Sequence, residues 1–322
     1  MQRRKVTAAL LSTLGLALTM GSAQAQDYPT QPIRLIVPYG AGTATDTLAR
    51  ILARKLSATW TDGVIVENVT GAGGVIGTQQ LQRAAPNGYT LGLLASGHAM
   101  NPALYPKLPF DPINDFTPVM QLAETAMVLM SPAGSYGSLK TLISTVKSKP
   151  GRVDYGSTGN GSLPHLTVEL LRVMSDLHMV HIPYRNTGAM MPDLIAGRVT
   201  LAAVAIPTAL SHAASGKLEA LAVSTPRRSK FMPDVPSVSE LVPGYDVSPW
   251  IGLVGPKGLP PQIVAKLQAE VTKAMQSDEV LTSMGTSGLE PNVRDGTSFW
   301  NDVRQEVPKW QNLVKASGIK AD

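Results

Sequence analysis

Three residues near the middle of the chain could form a nucleophile and its base. Ser157, Ser162 and His165 lie close together, and Ser162 precedes His165 by three positions. A nucleophilic serine needs a base within hydrogen-bonding reach and a third group that orients this base. The alternative is that Ser162 caps a helix and His165 points into a binding cleft as a donor. Because the chain has no G-x-S-x-G motif, we favour the second interpretation over a serine hydrolase.

The five histidines include one H-x-x-H pair, His178 and His181. This pair enters a predicted strand that ends at Pro183, which is a poor arrangement for metal ligands. We therefore predict no metal site. We expect His178 and His212 to cap elements or to form buried hydrogen bonds.

A glycine-rich stretch at residues 71–77 invites comparison with nucleotide-binding loops. Its spacing is G-x-G-G-x-x-G, and the acidic residue that dinucleotide sites place about 20 positions further on is missing. The chain also lacks a G-x-x-x-x-G-K-[ST] phosphate loop. These patterns predict no cofactor.

Four loops rich in glycine, serine or threonine each follow an apolar run and precede a predicted helix. They occupy residues 38–46, 70–77, 157–165 and 184–190. Glycine after a strand is common in simple turns. A helix start, however, presents free N–H groups and the positive end of a dipole, and four of them together favour an anion pocket. Asp46 opens the first helix, either as its N-cap or as a residue that faces the ligand.

The elements that would position these loops alternate between short apolar strands and amphipathic helices. Predicted strands lie at residues 33–37, 64–66, 90–94, 127–130, 153–156, 180–183, 201–205, 218–223 and 251–254. Residues 260–315 read as helices separated by turns. This α/β pattern predicts two lobes that face each other across a cleft, with ligands at the carboxyl ends of the strands. We predict lobe 1 at residues 26–128 plus 250–322 and lobe 2 at residues 129–249.

The N-terminus has the features of a secretory signal peptide. Arg3, Arg4 and Lys5 precede an apolar stretch, and Ala23-Gln24-Ala25 offers a cleavage site. The apolar stretch of about 15 residues is shorter than the roughly 20 that span a bilayer. We therefore predict a signal peptide at residues 1–25, cleaved near Ala25, and a periplasmic mature protein.

Charge and cysteine content narrow the range of partners. The three basic residues of the signal peptide account for most of the net charge of +5, so the mature chain is nearly neutral. Basic clusters and interleaved aromatic residues are scarce, and we expect no nucleic-acid partner. The chain has no cysteine, which excludes disulfides and thiolate metal sites.

Several motifs occur together in an order typical of one family. They include P-I-R-L-I-V-P-Y at residues 32–39, G-A-G-G at 71–74, A-P-N-G-Y-T-L at 85–91, N-P-A-L-Y at 101–105, D-F-T-P-V at 115–119 and H-I-P-Y-R at 181–185. In these motifs, and over nearly the whole mature length, the chain resembles the solute receptors of tripartite tricarboxylate transporters, also called Bug proteins.

The resemblance implies a two-lobed, periplasmic-binding-protein-like fold of type II, in which each lobe is a sheet flanked by helices. It implies a receptor without enzymatic activity that captures a small organic carboxylate in the interlobe cleft. The partners would be a large and a small integral membrane subunit of a secondary transporter, and we expect the receptor to be monomeric. Carried over by position, the ligand-binding residues would be Tyr39, Gly42, Thr43, Asp46, Gly73, Ser96, His98, Ser157, Gly161, Ser162, His165 and Tyr184.

The chain departs from the family pattern at positions near the expected pocket, namely Thr43, Val75, Asn186, Val204 and Ala205. Thr43 adds a hydroxyl where the family repeats glycine, whereas Val75, Val204 and Ala205 remove polar groups. We therefore expect a ligand less polar than citrate-like acids, such as an aromatic or short-chain monocarboxylate. Two alternatives stay open, a secreted hydrolase that uses Ser162 or Ser157 with His165, and a receptor that reports its ligand to a membrane kinase.

Overall fold

The fold consists of short strands that alternate with helices through most of the chain. A computed structural model describes residues 28–319, so the predicted signal peptide lies outside the described residues. The strands are β1 (Ile33–Val37), β2 (Val64–Asn68), β3 (Thr90–Ala95), β4 (Phe116–Glu124), β5 (Met127–Pro132), β6 (Val153–Ser157), β7 (Met179–Pro183), β8 (Leu201–Ala205), β9 (Leu218–Val223), β10 (Trp250–Pro256) and β11 (Glu290–Asp295).

The helices fill most of the intervals between these strands. They are α1 (Ala44–Ser57), α2 (Val75–Gln82), α3 (Gly97–Leu104), α4 (Leu139–Ser148), α5 (Leu163–Met174), α6 (Thr187–Ile195), α7 (Ile206–Ala214), α8 (Pro261–Met275), α9 (Asp278–Thr286) and α10 (Gly296–Ser317). Short 3₁₀ turns lie at Ala72–Gly74 and Val238–Glu240. No helix within residues 28–319 is both long enough and apolar enough to cross a membrane.

The strands form two sheets, each flanked by helices. The first has the order β11-β4-β10-β3-β1-β2, and the second has the order β7-β6-β8-β5-β9. In the first sheet β1 runs parallel to β2 and β3, and in the second β6 runs parallel to β7 and β8. The chain leaves the first sheet after β4 and returns to it at β10. The α/β architecture predicted from the sequence is thereby confirmed.

Burial of apolar residues explains these elements. In β1, Ile33, Leu35 and Ile36 are almost fully buried, and in α1 the residues Leu48 and Leu52 lie on one buried face. This spacing of four along a helix places both side chains on the same side.

The long helix α10 links the two sheets. It packs against α3, which follows a strand of the first sheet, and against α5, which follows a strand of the second. Its buried side chains Phe299, Trp300 and Trp310 belong to a hydrophobic cluster that contains residues of both sheets. One hydrophobic cluster therefore spans both sheets, and a second cluster, which includes Val128, Val204 and Val223, lies within the second sheet and its helices.

Two strands were absent from the sequence prediction. β4 contains Pro118 and the polar Gln121, although most of its residues are buried. β11 lies inside the C-terminal region that the sequence predicted to be helices and turns, and that prediction is wrong there. Residues in β11 alternate between half-buried and exposed, because β11 is an edge strand paired only with β4. An edge position tolerates the charged residues and the proline of this segment.

Candidate functional site

The four loops predicted to bind an anion all follow parallel strands. They connect β1 to α1, β2 to α2, β6 to α5 and β7 to α6. Because β1 is parallel to β2 and β6 is parallel to β7, the two loops of each sheet lie at the same sheet edge. Each sheet therefore presents a pair of neighbouring helix starts, as the sequence predicted.

Asp46 holds the first loop in place. Its buried carboxylate accepts a hydrogen bond from Gly42 N at 2.9 Å, one from Asn68 Nδ2 at 2.9 Å and one from Arg50 Nε at 3.0 Å. The N-cap of α1 is Thr43, whose Oγ1 accepts from Asp46 N at 3.4 Å, so the prediction of Asp46 as N-cap is wrong. Both carboxylate oxygens of Asp46 are engaged by loop and helix donors.

The charge of Asp46 is stabilised by these donors. Burial by itself would raise the pKa of Asp46, but the hydrogen bonds from Arg50, Gly42 and Asn68 outweigh burial and lower the pKa. Arg50 also forms an ion pair with this carboxylate at 3.0 Å. An ionised carboxylate can therefore lie beside an anion site, since a guanidinium offsets its negative charge.

Tyr39 contacts the end of β3, and Gly73 places the second loop against α3. The Tyr39 hydroxyl accepts a hydrogen bond from Ala95 N at 3.3 Å, and burial raises the pKa of Tyr39 to about 12. Gly73 has a φ of 62°, and its carbonyl accepts from Asn101 Nδ2 at 3.3 Å. A Cβ at position 73 would lie 3.1 Å from the Tyr105 hydroxyl and 3.2 Å from Asn101 Oδ1. The positive φ and the tight space therefore both favour glycine at this position.

Ser162 is the N-cap of α5. Its Oγ accepts from His165 N at 3.4 Å and donates to Gly159 O at 2.8 Å. The His165 ring contributes a further contact, since its Nδ1 accepts a hydrogen bond from Gly161 N at 3.0 Å. The contact from Ser162 to His165 is therefore a cap to the backbone, as the second interpretation predicted for Ser162. The His165 ring, which that interpretation directed into the cleft as a donor, is buried and its Nδ1 is an acceptor.

His181 is a residue of this region that sequence reasoning missed. Its Nε2 lies 2.7 Å from Ser157 Oγ, and its ring stacks on that of His165 with centroids 3.8 Å apart and planes 7° apart. His178, its supposed partner, is exposed. The signal that could have found His181 is the pairing of β6 with β7, which sets His181 beside Tyr155, the residue two before Ser157.

The loops of the two sheets meet at the C-terminal turn of α3. Gly161 has a φ of 72°, and a Cβ at this position would lie 2.6 Å from Leu104 Cδ2. The loop at Gly73 contacts Asn101 and Tyr105 of the same turn. One helix end therefore contacts the glycine loops of both sheets.

Ser96 and His98 have structural contacts. Ser96 Oγ accepts from Trp250 N at 2.8 Å, at the start of the strand that re-enters the first sheet. The His98 ring packs among Phe110, Phe116 and Trp300, and burial lowers the pKa of His98 to about 4. The structure does not bring this ring together with the other predicted ligand-binding side chains.

Tyr184 joins the site through its backbone. Its N–H donates to Ser157 O at 2.9 Å, whereas its hydroxyl donates to Asp193 Oδ2 of α6 at 2.7 Å. Burial and the Asp193 carboxylate raise the pKa of Tyr184 to about 12. The phenol is therefore neutral and directed toward α6.

The departures from the family pattern divide into two groups. Thr43 and Asn186 are helix N-caps, and Asn186 accepts from Ala189 N at 2.9 Å. Val204 is buried in β8, and the exposed Ala205 precedes α7. The hydroxyl and amide at the first two positions are thus already engaged by their own helices.

A concave region lies away from these loops. It is a polar cavity of about 490 Å³ between β4, β10, β11 and α10, with Glu124, Asp246, Arg294 and Glu306 among its lining residues. None of the predicted ligand-binding residues lines it. Within residues 28–319, no group of three or more histidine, aspartate or glutamate side chains has an arrangement suited to a metal ion.

Known proteins resemble this chain over nearly its full length. Residues 48–319 match the family described as "Tripartite tricarboxylate transporter family receptor". Protein BugT of Bordetella pertussis is 34% identical over 319 residues, covering 97% of this chain and 98% of BugT.

Solved structures of similar proteins include two from Rhodopseudomonas palustris that hold carboxylates. One, solved with adipate, is 31% identical with a TM-score of 0.77, covering 91% of this chain and 99% of that protein. The other, MatC with bound malate, is 30% identical with a TM-score of 0.74, covering 89% of this chain and all of MatC. The sequence and the fold of this chain therefore agree that it belongs to the tripartite tricarboxylate transporter receptor family, whose members are periplasmic solute-binding proteins.

Proposed function

We propose that this protein is a periplasmic receptor that captures a small organic carboxylate between its two sheets. The bound carboxylate is delivered to a tripartite tricarboxylate-type secondary transporter with a large and a small membrane subunit. The observation that carries the proposal is the meeting of glycine loops from both sheets at one end of α3. Each of these loops precedes a helix start, and helix starts favour anions.

The two sheets are the centres of the two proposed lobes. Lobe 1 comprises residues 26–128 plus 250–322, and lobe 2 comprises residues 129–249. In support, the strands of the first sheet lie in residues 33–124 and 250–295, and those of the second in residues 127–223. The lobes are joined where β4 leads into β5 and where the chain returns to β10. A ligand that contacts both lobes favours their closed arrangement.

Backbone amides at the helix starts form the proposed binding surface. The first lobe contributes the loops at Tyr39, Gly42, Thr43 and Gly73, with Asp46 holding them. The second lobe contributes the loop of Gly161, Ser162 and His165, held by Ser157, and the backbone of Tyr184. Ser96 and His98 support the first lobe from behind these loops through their contacts with Trp250 and with the aromatic cluster.

The ligand is proposed to be a less polar acid than citrate. The similar proteins solved with adipate and malate support a carboxylate as the ligand class. Val204 is buried in β8 and does not face a ligand, but Val75 and Ala205 keep some exposure and supply no polar side-chain group. An aromatic or short-chain monocarboxylate would leave no polar group unsatisfied against these side chains.

Two other functions make different predictions. A serine hydrolase using Ser162 or Ser157 with His165 would consume its ligand, whereas a receptor returns it unchanged. Membership of a receptor family and the capping role of Ser162 support the receptor. A receptor that reports to a membrane kinase would bind the same ligand in the same way. The two receptors differ in their partner, because only a transport receptor should bind isolated transporter subunits when it holds its ligand.

A thermal-shift screen tests the proposed function. The mature protein, refolded to remove carried-over ligand, is heated with mono-, di- and tricarboxylates, aromatic acids and amino acids. A ligand at 100 times its dissociation constant adds about 2.7 kcal/mol to the free energy of unfolding. We expect one carboxylate class to raise the melting temperature and to be recovered unchanged. No shift with any acid, or consumption of the acid, would contradict the proposal.

A further inference from the structure

Three aromatic rings form a layered stack beneath the second-lobe loop. The His165 and His181 rings are parallel at 3.8 Å, and the Tyr155 ring lies 5.0 Å from that of His181 with planes 26° apart. The Tyr155 hydroxyl donates to Glu169, whose carboxylate pairs with Arg172 at 2.8 Å. These rings come from β6, β7 and α5, so the stack connects the three elements on which the loop at residues 157–162 rests.

Ser157 connects His181 to this loop. Its fully buried Oγ accepts from Gly159 N at 3.2 Å, donates to Gly159 O at 3.1 Å and lies 2.7 Å from His181 Nε2. A hydroxyl has one proton to donate. If that proton goes to Gly159 O, His181 Nε2 must carry the proton of the third contact. His181 thereby fixes the rotamer of Ser157, and Ser157 fixes Gly159.

His165 holds the other end of the same loop. Its Nδ1 accepts from Gly161 N, and its buried ring is backed by His181. An imidazole nitrogen that accepts a hydrogen bond cannot carry a proton, so His165 is neutral in this arrangement. Both glycines that shape the loop therefore depend on the histidine pair.

We infer that His181 is a positioning residue for ligand capture, acting through Ser157 and His165 to hold the loop at residues 157–162 in its binding geometry. The expected effect on affinity rests on the proposed function. The loop geometry itself can be measured without a ligand. His181 need not touch the carboxylate. Removing its ring frees Ser157 Oγ and takes away the support of the His165 ring, so both glycine amides lose their fixed partners.

Acidification distinguishes this role from direct attraction between an imidazolium and a carboxylate. Protonation of His165 Nδ1 would replace an acceptor by a donor that faces the Gly161 N–H, and the loop contact would be lost. The charged or titratable groups that the structure describes at the stack include His181 of β7, Tyr155 of β6 and the ion pair of Glu169 with Arg172 on α5. Asp154 of β6 instead accepts from Thr200 N. Affinity should therefore fall on acidification, although a simple charge attraction would make it rise.

The test follows the Gly159 and Gly161 amides of ¹⁵N-labelled protein by NMR. In His181→Ala we expect both signals to shift and both amides to exchange faster with solvent, while amides in β1 are unchanged. The variant His181→Gln, whose amide can still donate to Ser157 Oγ, should restore the Gly159 signal in part. His178→Ala, at an exposed position three residues earlier, is the matched control and should leave both signals unchanged.

A carboxylate identified in the thermal-shift screen supplies the second readout. We expect His181→Ala to bind it about two- to tenfold more weakly, the equivalent of one hydrogen bond. Affinity of the wild type should fall once the pH is low enough to protonate His165 Nδ1, together with a shift of the Gly161 signal. Unchanged glycine amides in His181→Ala overturn the inference, and so does an affinity that rises on acidification.

Failure of the proposed function has a different signature. If no carboxylate binds the wild type, the receptor assignment fails, but the glycine amides still decide whether His181 positions the loop. If His181→Ala does not fold, the amides of His181→Gln and the response of the wild-type Gly161 signal to pH decide the same question.

Discussion

At the scale of single residues, Asp46 is a buried acid in a protein proposed to bind anions. Its two oxygens receive donors from Gly42, Asn68 and Arg50. Because these donors lower the pKa of Asp46, the carboxylate stabilises the fold most above its unfolded pKa, and this contribution is lost as the pH falls. Asp46 therefore holds the loop, and we propose that it contributes to binding in this way.

The substitution Asp46→Asn should lower both stability and affinity. In the wild type, Gly42 N and Asn68 Nδ2 donate to different oxygens of Asp46. Asparagine replaces one of these oxygens by an NH₂ group, so one of the two donors loses its acceptor. We expect a loss of about 1 to 3 kcal/mol in the free energy of unfolding, measured by urea titration. Asp62→Asn, at an exposed position, should change neither property. An unaffected Asp46→Asn would show that the loop does not depend on this carboxylate.

Glu306 predicts a specific pH dependence of stability. Burial raises its pKa to about 7, and its Oε2 accepts from Trp250 Nε1 at 2.8 Å. Between its ordinary value of 4.5 and about 7, the folded state keeps a proton that the unfolded chain has lost. The free energy of unfolding therefore falls as the pH rises through this window and then levels off.

Replacing Glu306 by glutamine should remove this dependence. Glutamine keeps an oxygen for Trp250 Nε1 and carries no charge, so Glu306→Gln should gain stability over the wild type as the pH rises from 5 to 8. Melting temperatures of both proteins across this range measure the effect. Glu279→Gln, a change at an exposed carboxylate, serves as control. Parallel curves for wild type and Glu306→Gln would mean that Glu306 titrates normally.

The sequence indicated the loops of the site better than the roles of their side chains. Ser162 was expected as a helix cap and is one, since a serine before an apolar helix is a local signal. His98 and His181 depend on long-range contacts, with Trp300 from α10 and with Ser157 from a neighbouring strand. Such contacts leave no mark in the spacing of nearby residues.

At the scale of elements, the approach of Gly161 to α3 brings a loop of the second sheet against a helix that follows a strand of the first. A methyl group at Gly161 would meet the end of the Leu104 side chain. It would also sit on a residue with positive φ, which costs an L-amino acid about 1 to 2 kcal/mol. The substitution thus combines backbone strain with a steric effect on the contact between this loop and α3.

We expect Gly161→Ala to weaken carboxylate binding and to lower stability by about 1 kcal/mol. Gly216→Ala has a similar φ of 66° and open space around the new methyl, so it should lose stability and keep its affinity. Calorimetric titration of both variants measures the difference. The double change Gly161→Ala with Leu104→Ala should recover part of the affinity. If Gly216→Ala and Gly161→Ala bind equally well, closure does not require this contact.

Strand prediction succeeded where burial follows a local pattern. β1, β8 and β9 are apolar runs bounded by turns, and their predicted limits agree with the structure. β4 and β11 were not predicted, because each contains a proline and polar residues and so lacks a continuous apolar run. Their strand character comes from pairing between segments about 170 residues apart, here Glu290 with Glu124.

At the scale of the whole molecule, the shared core predicts cooperative unfolding. One hydrophobic cluster includes Leu94 of the first sheet, Leu129 of the second and Trp310 of α10. Separate cores would unfold separately, whereas a continuous core couples both sheets. Differential scanning calorimetry of residues 26–322 should show a single transition, and saturating carboxylate should move it upward as one peak. Two transitions, of which the ligand moves one, would contradict the shared core.

The measurement that tests the central claim most directly is amide shift mapping with the carboxylate identified in the screen. The claim is that this ligand lies between the two sheets, held by loops from both. We predict that the amides near Gly42 and Gly73 and those near Gly159 and Gly161 change together, with one dissociation constant. Changes confined to the loops of one sheet, or to the cavity lined by Glu124, Arg294 and Glu306, would contradict the account.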